Sequence, residues 1–189
     1  MKQHILPALK LTMMCIVVFI GLYSLLILAI AQLVPAHGNG ETVLVNNKAV
    51  GYKLEGQSFT ADKYFNSRPS AVGYNGVGSS GSNKGPSNPD YLKQVNDRAD
   101  SFLIHNPDIN RSAIPSELVT ASGSGLDPDL SPAAARIQAK RIARVRNVSQ
   151  QTLNLLVDQN IVGPLLGMFG TAKVNVLQLN LALDKLSDK

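Results

Sequence analysis

Asp127 and Asp129 flank a single proline, and Ser131 and Pro132 follow at once. Two carboxylates at this spacing can do one of three things. They can complement the positive end of a helix dipole, an effect of ~0.3–1 kcal/mol. They can act as an acid–base pair. They can bind a divalent cation, for which two carboxylates without further oxygen ligands are a poor set. The reading taken is a helix start, with Ser131 as N-cap and Pro132 as the first helical residue. Behind it Arg136, Lys140 and Arg144 recur at i, i+4 and i+8, so they line one helix face, with Arg141 and Arg146 on other faces. No acidic residue lies between Leu130 and Val157. Such a face is a solvated surface, a dock for an acidic partner surface, or a contact for lipid head groups. Just ahead, Ser122-Gly123-Ser124-Gly125 together with Arg136 and Lys140 could cradle a phosphate.

Other chemistry is sparse. His105 is the only histidine in the folded part of the domain, since His4 and His37 flank an apolar run. At a helix C-terminus His105 reads as a capping or surface residue, and no histidine cluster forms a metal set. A formal G-x-G-x-x-G at Gly76, Gly78 and Gly81 is preceded by polar loop and followed by more loop, which is not the strand–turn–helix of a dinucleotide site. There is no G-x-S-x-G elbow for a hydrolase, no phosphate loop and no Asp-Lys-Thr-Gly phosphorylation sequence. The only cysteine, Cys15, lies inside the apolar run, so the rest of the chain has neither disulfide nor thiol chemistry. A lipoprotein would need a cysteine just after that run.

The elements that position these residues follow. Leu11 to Ala31 is 21 residues without a charge, about 31 Å as a helix, the thickness of a bilayer's hydrocarbon core. Lys2 and Lys10 precede it, and no Lys or Arg follows until Lys48. The positive-inside rule then puts the N-terminus in the cytoplasm and the remainder outside. A cleaved signal peptide, cut after Ala31, is the alternative, but its apolar region would be ~7–15 residues. The fold class expected is a single N-terminal transmembrane helix plus one α+β exterior (periplasmic) domain. The divisions are residues 1–10 cytoplasmic, 11–33 transmembrane, 34–40 a hinge and 41–189 the exterior domain. Gly21, Ser24 and Ala31 fall near one face of the span, as close helix packing in lipid requires.

The exterior part holds all 13 acidic residues and 16 of the 18 basic ones. Its net +3 is a mild bias and no nucleic-acid signature. With no Trp and 5% aromatics, its core is mostly aliphatic. Thr42 to Val45 and Ala49 to Leu54 read as strands around an Asn46-Asn47 turn. Ser58 to Phe65 is compatible with helix or strand. Residues 68–89 form a Gly/Ser/Asn-rich loop, either functional or disordered. Asn88-Pro89 opens a helix whose buried face is Leu92, Val95, Ala99, Phe102 and Leu103. A further helix starts at Ser149, burying Leu153, Leu156, Val157 and Ile161, and is broken by Gly163-Pro164. Val174 to Leu183 reads as a short strand followed by a terminal helix.

Three long blocks carry a family resemblance: Tyr64 to Ala71 (YFNSRPSA) with Gly78 to Tyr91 (GSSGSNKGPSNPDY), Val119 to Arg144 (VTASGSGLDPDLSPAAARIQAKRIAR) and Val174 to Asp184 (VNVLQLNLALD). On these the chain resembles the KdpC family, one of the subunits of the bacterial potassium-transporting P-type ATPase. It departs from the family at Asp129, where a His is common, and at Thr171-Ala172, where a Glu-Pro pair is usual. The resemblance implies a non-catalytic accessory subunit of a high-affinity ATP-driven potassium uptake complex in the bacterial inner membrane. The partners implied are a channel-like potassium-translocating subunit, a P-type ATP-hydrolysing subunit and a small membrane subunit, with membrane lipid around the span and no nucleic acid. No cofactor is expected on this chain, ATP and potassium belonging to the whole complex. One role is to stabilise assembly, through Gly21, Ser24 and Ala31 in the span and Arg136, Lys140 and Arg144 in the domain. The other is a catalytic chaperone that raises the hydrolysing subunit's affinity for ATP, with or without touching nucleotide; direct contact is what an exterior domain opposes.

Overall fold

The computed structural model describes residues 2–187. Met1, Asp188 and Lys189, the outermost ends of the expected cytoplasmic segment and exterior domain, lie outside them. The chain divides into two compact units, Met1–Glu41 and Thr42–Lys189.

The first unit is one run of helix. Helix α1 (Lys2–Cys15) passes through a wider π-helical stretch (Ile16–Leu22) into α2 (Tyr23–Leu33). Gln3–Leu33, whose most apolar 18 residues have a mean hydropathy of 2.8, is long and apolar enough to cross a membrane, and none of those 18 is buried within the protein. Helix begins well before Leu11, carrying Pro7 in its interior. After Leu33 a tight turn brings Gly38, at φ +78°, over Ala31. A β-carbon on Gly38 would sit 3.2 Å from that of Ala31, so glycine is needed for both conformation and space.

The second unit mixes helices with two small sheets. Strands β1 (Thr42–Val45) and β2 (Lys48–Tyr52) pair antiparallel. Asn46 and Asn47 between them both have positive φ, 50° and 62°, the conformation a two-residue hairpin turn demands and asparagine tolerates. Residues 58–65 form neither of the elements considered for them; they are turn and extended backbone. The loop 68–89 takes a defined course. Ser70 Oγ accepts from the amides of Val72 (3.2 Å) and Tyr74 (2.9 Å), and the Tyr74 hydroxyl donates to the Arg68 carbonyl at 2.6 Å.

Helix α3 (Pro89–His105) opens as its start signal dictates, Asn88 accepting from the Tyr91 amide. Its apolar face is covered less than expected: only Ala99 is buried, and Leu92 is half exposed. Strand β3 (Asp129–Leu130) leads into α4 (Pro132–Arg146), and α5 (Gln150–Gln159) follows, capped by Ser149. Helix α5 stops before the Gly163-Pro164 break. Asn160 turns back on Val157, and β4 (Ile161–Val162) joins β5 (Lys173–Asn175), whose other edge takes β3. Helix α6 (Val176–Ser187) begins directly from β5. The core is aliphatic: Leu130, Ile142, Leu153, Val157, Val174 and Leu183 are all but closed to solvent. Burying each such side chain contributes ~1.5–3 kcal/mol. Ala134, Ala135 and Ala139 are fully buried on α4 and let its neighbours approach closely.

Candidate functional site

The three sequence blocks meet in space, and buried side-chain amides join them. Phe65 is fully buried and lies in no strand. Its backbone is completed by Asn180 of α6: the Phe65 amide donates to Asn180 Oδ1 at 2.9 Å, and Asn180 Nδ2 donates to the Phe65 carbonyl at 3.0 Å. Gln138 of α4, also fully buried, serves the next residue. The Asn66 amide donates to Gln138 Oε1 at 2.8 Å, and Gln138 Nε2 donates to the carbonyls of Asn66 (3.3 Å) and Ala134 (3.1 Å). An amide side chain offers one acceptor and one donor side by side, so it replaces the strand partner this segment lacks.

Charges extend the clamp. The Arg141 side chain is 2% exposed, and it donates to the Tyr64 carbonyl and Gln138 Oε1, each at 3.0 Å, and to Asp62 at 3.3 Å. Burial pulls its guanidinium below the ordinary value, and the Asp62 carboxylate opposes that; a guanidinium remains charged at neutral pH. Asp62 also holds His105 Nδ1 at 2.8 Å. His105 is therefore not a bare surface residue: it lies with Asp62 and Arg141 on the wall of a cleft of about 330 Å³, which Arg98 and Phe102 also line. On the far side Arg146 donates to Asp184 at 2.6 Å and stands 4.9 Å over the Tyr64 ring, while the Tyr64 hydroxyl donates to Asp184 at 3.1 Å.

The residues expected to do chemistry are engaged by the chain itself. Ser131 accepts from the Ala134 amide at 3.2 Å, with Pro132 as the first residue of α4, and Glu117 takes both the Ser131 amide and hydroxyl. Asp127 and Asp129, just before that helix, are each also paired with a cation from elsewhere in the domain. Asp127 pairs with Arg68 at 2.8 Å and accepts from the Asp129 amide at 3.1 Å; Asp129 pairs with Lys173 at 2.6 Å. The basic face of α4 is likewise matched: Arg136 with Asp158 at 2.5 Å, and Lys140 and Arg144 with Asp108 at 3.3 and 3.6 Å. These pairs are about half exposed, where each contributes ~0–1 kcal/mol. The Ser-Gly run packs on loop 68–89. Ser124 O accepts from Ser79 Oγ at 2.6 Å, and a β-carbon on Gly81 would lie 2.9 Å from the Gly123 carbonyl oxygen. In the first unit, Gly21 lies in the π-helical stretch, Ser24 is exposed in α2, and Ala31 sits under Gly38.

Reasoning from sequence misses Gln138, Arg141 and Asn180 as functional residues. A signal exists for Gln138, a polar residue within the buried stripe Ala134, Ala135, Ala139 and Ile142. Asn180 is similarly flanked by buried Leu179 and Leu183.

The family model described as "KdpC: K+-transporting ATPase, c chain" matches residues 5–185. The chain is 52% identical over 184 residues to a potassium-transporting ATPase KdpC subunit of Flavobacterium psychrophilum, covering 97% of this chain and 99% of the relative. A relative of the same name from Bacteroides fragilis is 47% identical over 190 residues, with 99% and 100% covered. One from Caldanaerobacter subterraneus subsp. tengcongensis is 42% identical over 184 residues, with 97% and 95% covered.

Proposed function

This chain belongs to the KdpC family, the c chain of K+-transporting ATPases, and from that premise we propose that it works as an assembly module. It is an accessory subunit of the potassium-transporting ATPase complex, tied to the membrane by its one apolar helix. Its domain, on the exterior side, holds the channel-like and ATP-hydrolysing subunits together, docking near the potassium entrance of the former. The span adds packing through Gly21 and Ser24. The exposed halves of Lys140 and Arg144 form a polar rim, where charges steer association more than they add affinity.

The observation that carries this reading is that the charged side chains singled out for catalysis or phosphate binding are already paired within the domain. Asp127, Asp129, Arg136 and Lys140 are each paired within the domain. The Ser122–Gly125 run is in van der Waals contact with loop 68–89. Such a framework suits a platform for a partner, and a chaperone effect carried through the assembled complex would need no shared site.

Orientation tests it. A reporter enzyme fused to the C-terminus of the full chain is expected to be active only outside the cytoplasm. Activity on the cytoplasmic side would put the domain where ATP is used and overturn the exterior assembly role.

A further inference from the structure

Between β4 and β5 the chain makes a small hairpin whose tip is apolar and uncovered. Leu165 and Phe169 bridge each other, each amide donating to the other's carbonyl at 2.9 Å. The turn closes through Leu166 at φ 54° and Gly167 at φ 74°, with the Met168 amide donating to the Leu165 carbonyl at 3.1 Å. Leu165, Leu166, Met168 and Phe169 are 71, 79, 75 and 61% exposed, and Val162 at the root is 54% exposed. These side chains are held outward by a hydrogen-bonded turn rather than folded onto the core.

Five large apolar side chains within eight residues, Val162 to Phe169, are thus each more than half exposed. Apolar residues exposed singly need no explanation, but a cluster of them held out on one hydrogen-bonded turn suits a contact surface. The chemistry of the occupant follows from the composition. From Gly163 to Ala172 there is no charge, so an ionic partner surface has nothing to pair with. There is also no Trp, Tyr, Lys or Arg in that stretch, the residues that anchor a segment at a lipid interface. An open turn cannot pair all its backbone groups, which hydrocarbon penalises and a protein pocket can satisfy. Met and Phe in a preorganised tip are what the desolvated centre of a protein interface uses.

We propose that residues 164–170 are the docking element of the domain, seating the Leu166–Phe169 tip in an uncharged apolar concavity on the exterior surface of a membrane-embedded subunit of the same complex. This rests on the assembly reading and names the element that performs it. The basic face of α4, already paired internally, is then the rim and the hairpin the centre.

The test uses the full chain co-expressed with the other subunits, with p-benzoylphenylalanine replacing Met168. Irradiation of the purified complex is expected to link this chain to another subunit. A link to phospholipid, a link to a second copy of this chain, or no link within an assembled complex overturns the proposal. In parallel, Leu166→Asp with Phe169→Asp is expected to lower recovered complex at least about tenfold, while Leu166→Met with Phe169→Leu retains it. Normal recovery of the Asp variant overturns the proposal. If omitting the whole chain already leaves the complex intact, the assembly reading itself has failed. If omission abolishes assembly and the Asp variant does not, only the hairpin's role has failed.

Discussion

Replacing Asn180 by Leu should cost far more than its small change in shape implies. The two residues are close in size, so no large cavity opens. What is lost is the reciprocal pair to Phe65, at 2.9 and 3.0 Å. Phe65 is fully buried and Asn180 is 2% exposed, so water cannot replace either bond without a rearrangement. A buried peptide group left without its partner costs ~1–3 kcal/mol, and here there are two, giving about 2–6 kcal/mol. Against a typical total of ~5–15 kcal/mol that is a large fraction. At ~2–4 °C per kcal/mol for a domain of this size, the midpoint should fall by about 4–24 °C. The assay is thermal unfolding of the full chain in detergent, followed by calorimetry. Asn180→Asp provides a sharper comparison. Its carboxylate still accepts from the Phe65 amide but turns an acceptor toward the Phe65 carbonyl. Relative to wild type at each pH, it should regain stability as pH falls and the protonated acid becomes a donor. A midpoint for Asn180→Leu within about 2 °C of wild type, with no acid recovery for Asn180→Asp, would refute the claim that Asn180 replaces a strand partner.

Three further expectations are independent. Burial pushes the Tyr74 phenol above its ordinary value, only partly offset by Arg98. The unfolded chain therefore ionises first, so this contribution is complete below pH ~10 and is lost as pH rises toward the folded value. Tyr74→Phe should remove that alkaline loss, seen as a flatter stability–pH curve above pH ~10, while also losing the 2.6 Å bond to Arg68. Gly56→Ala should destabilise the domain by about 1–3 kcal/mol in denaturant titration, because its β-carbon would lie 2.4 Å from the Asp127 carbonyl oxygen, a backbone atom with little freedom to move. Arg136→Glu with Lys140→Glu should weaken complex recovery yet shift domain stability by only about 1–2 kcal/mol, since both pairs are half exposed.

What is legible in the sequence is local. Asn88-Pro89, Ser131-Pro132 and Ser149 each open a helix where a short polar side chain caps the chain. Asn46-Asn47 turns the first hairpin, and β5 passes into α6 where the alternation breaks down. What is not legible is long-range. Strands β3 and β4 have two residues each, too few to show a period. Residues 58–65 resist assignment because the backbone of Tyr64 and Phe65 is completed by Arg141 and Asn180, which lie far along the chain, as the Phe65–Asn180 separation of 115 illustrates. The basic stripe on α4 is plain, but its partners Asp108 and Asp158 lie on other segments, so its internal pairing emerges only in three dimensions. Likewise Asp127 and Asp129 sit where a helix start invites acids, yet Arg68 and Lys173 claim them, a preference set by the loop 68–89 and β5.

The assembly role is tested most directly by purifying the complex through a tag on the channel-like subunit, with this chain expressed or omitted, and weighing the recovered ATP-hydrolysing subunit. Omission should strip that subunit from the preparation, and the full-length chain should restore it. Full recovery of the hydrolysing subunit without this chain, with only its half-saturating ATP concentration raised, would rule out the assembly role and leave the chaperone role in its place.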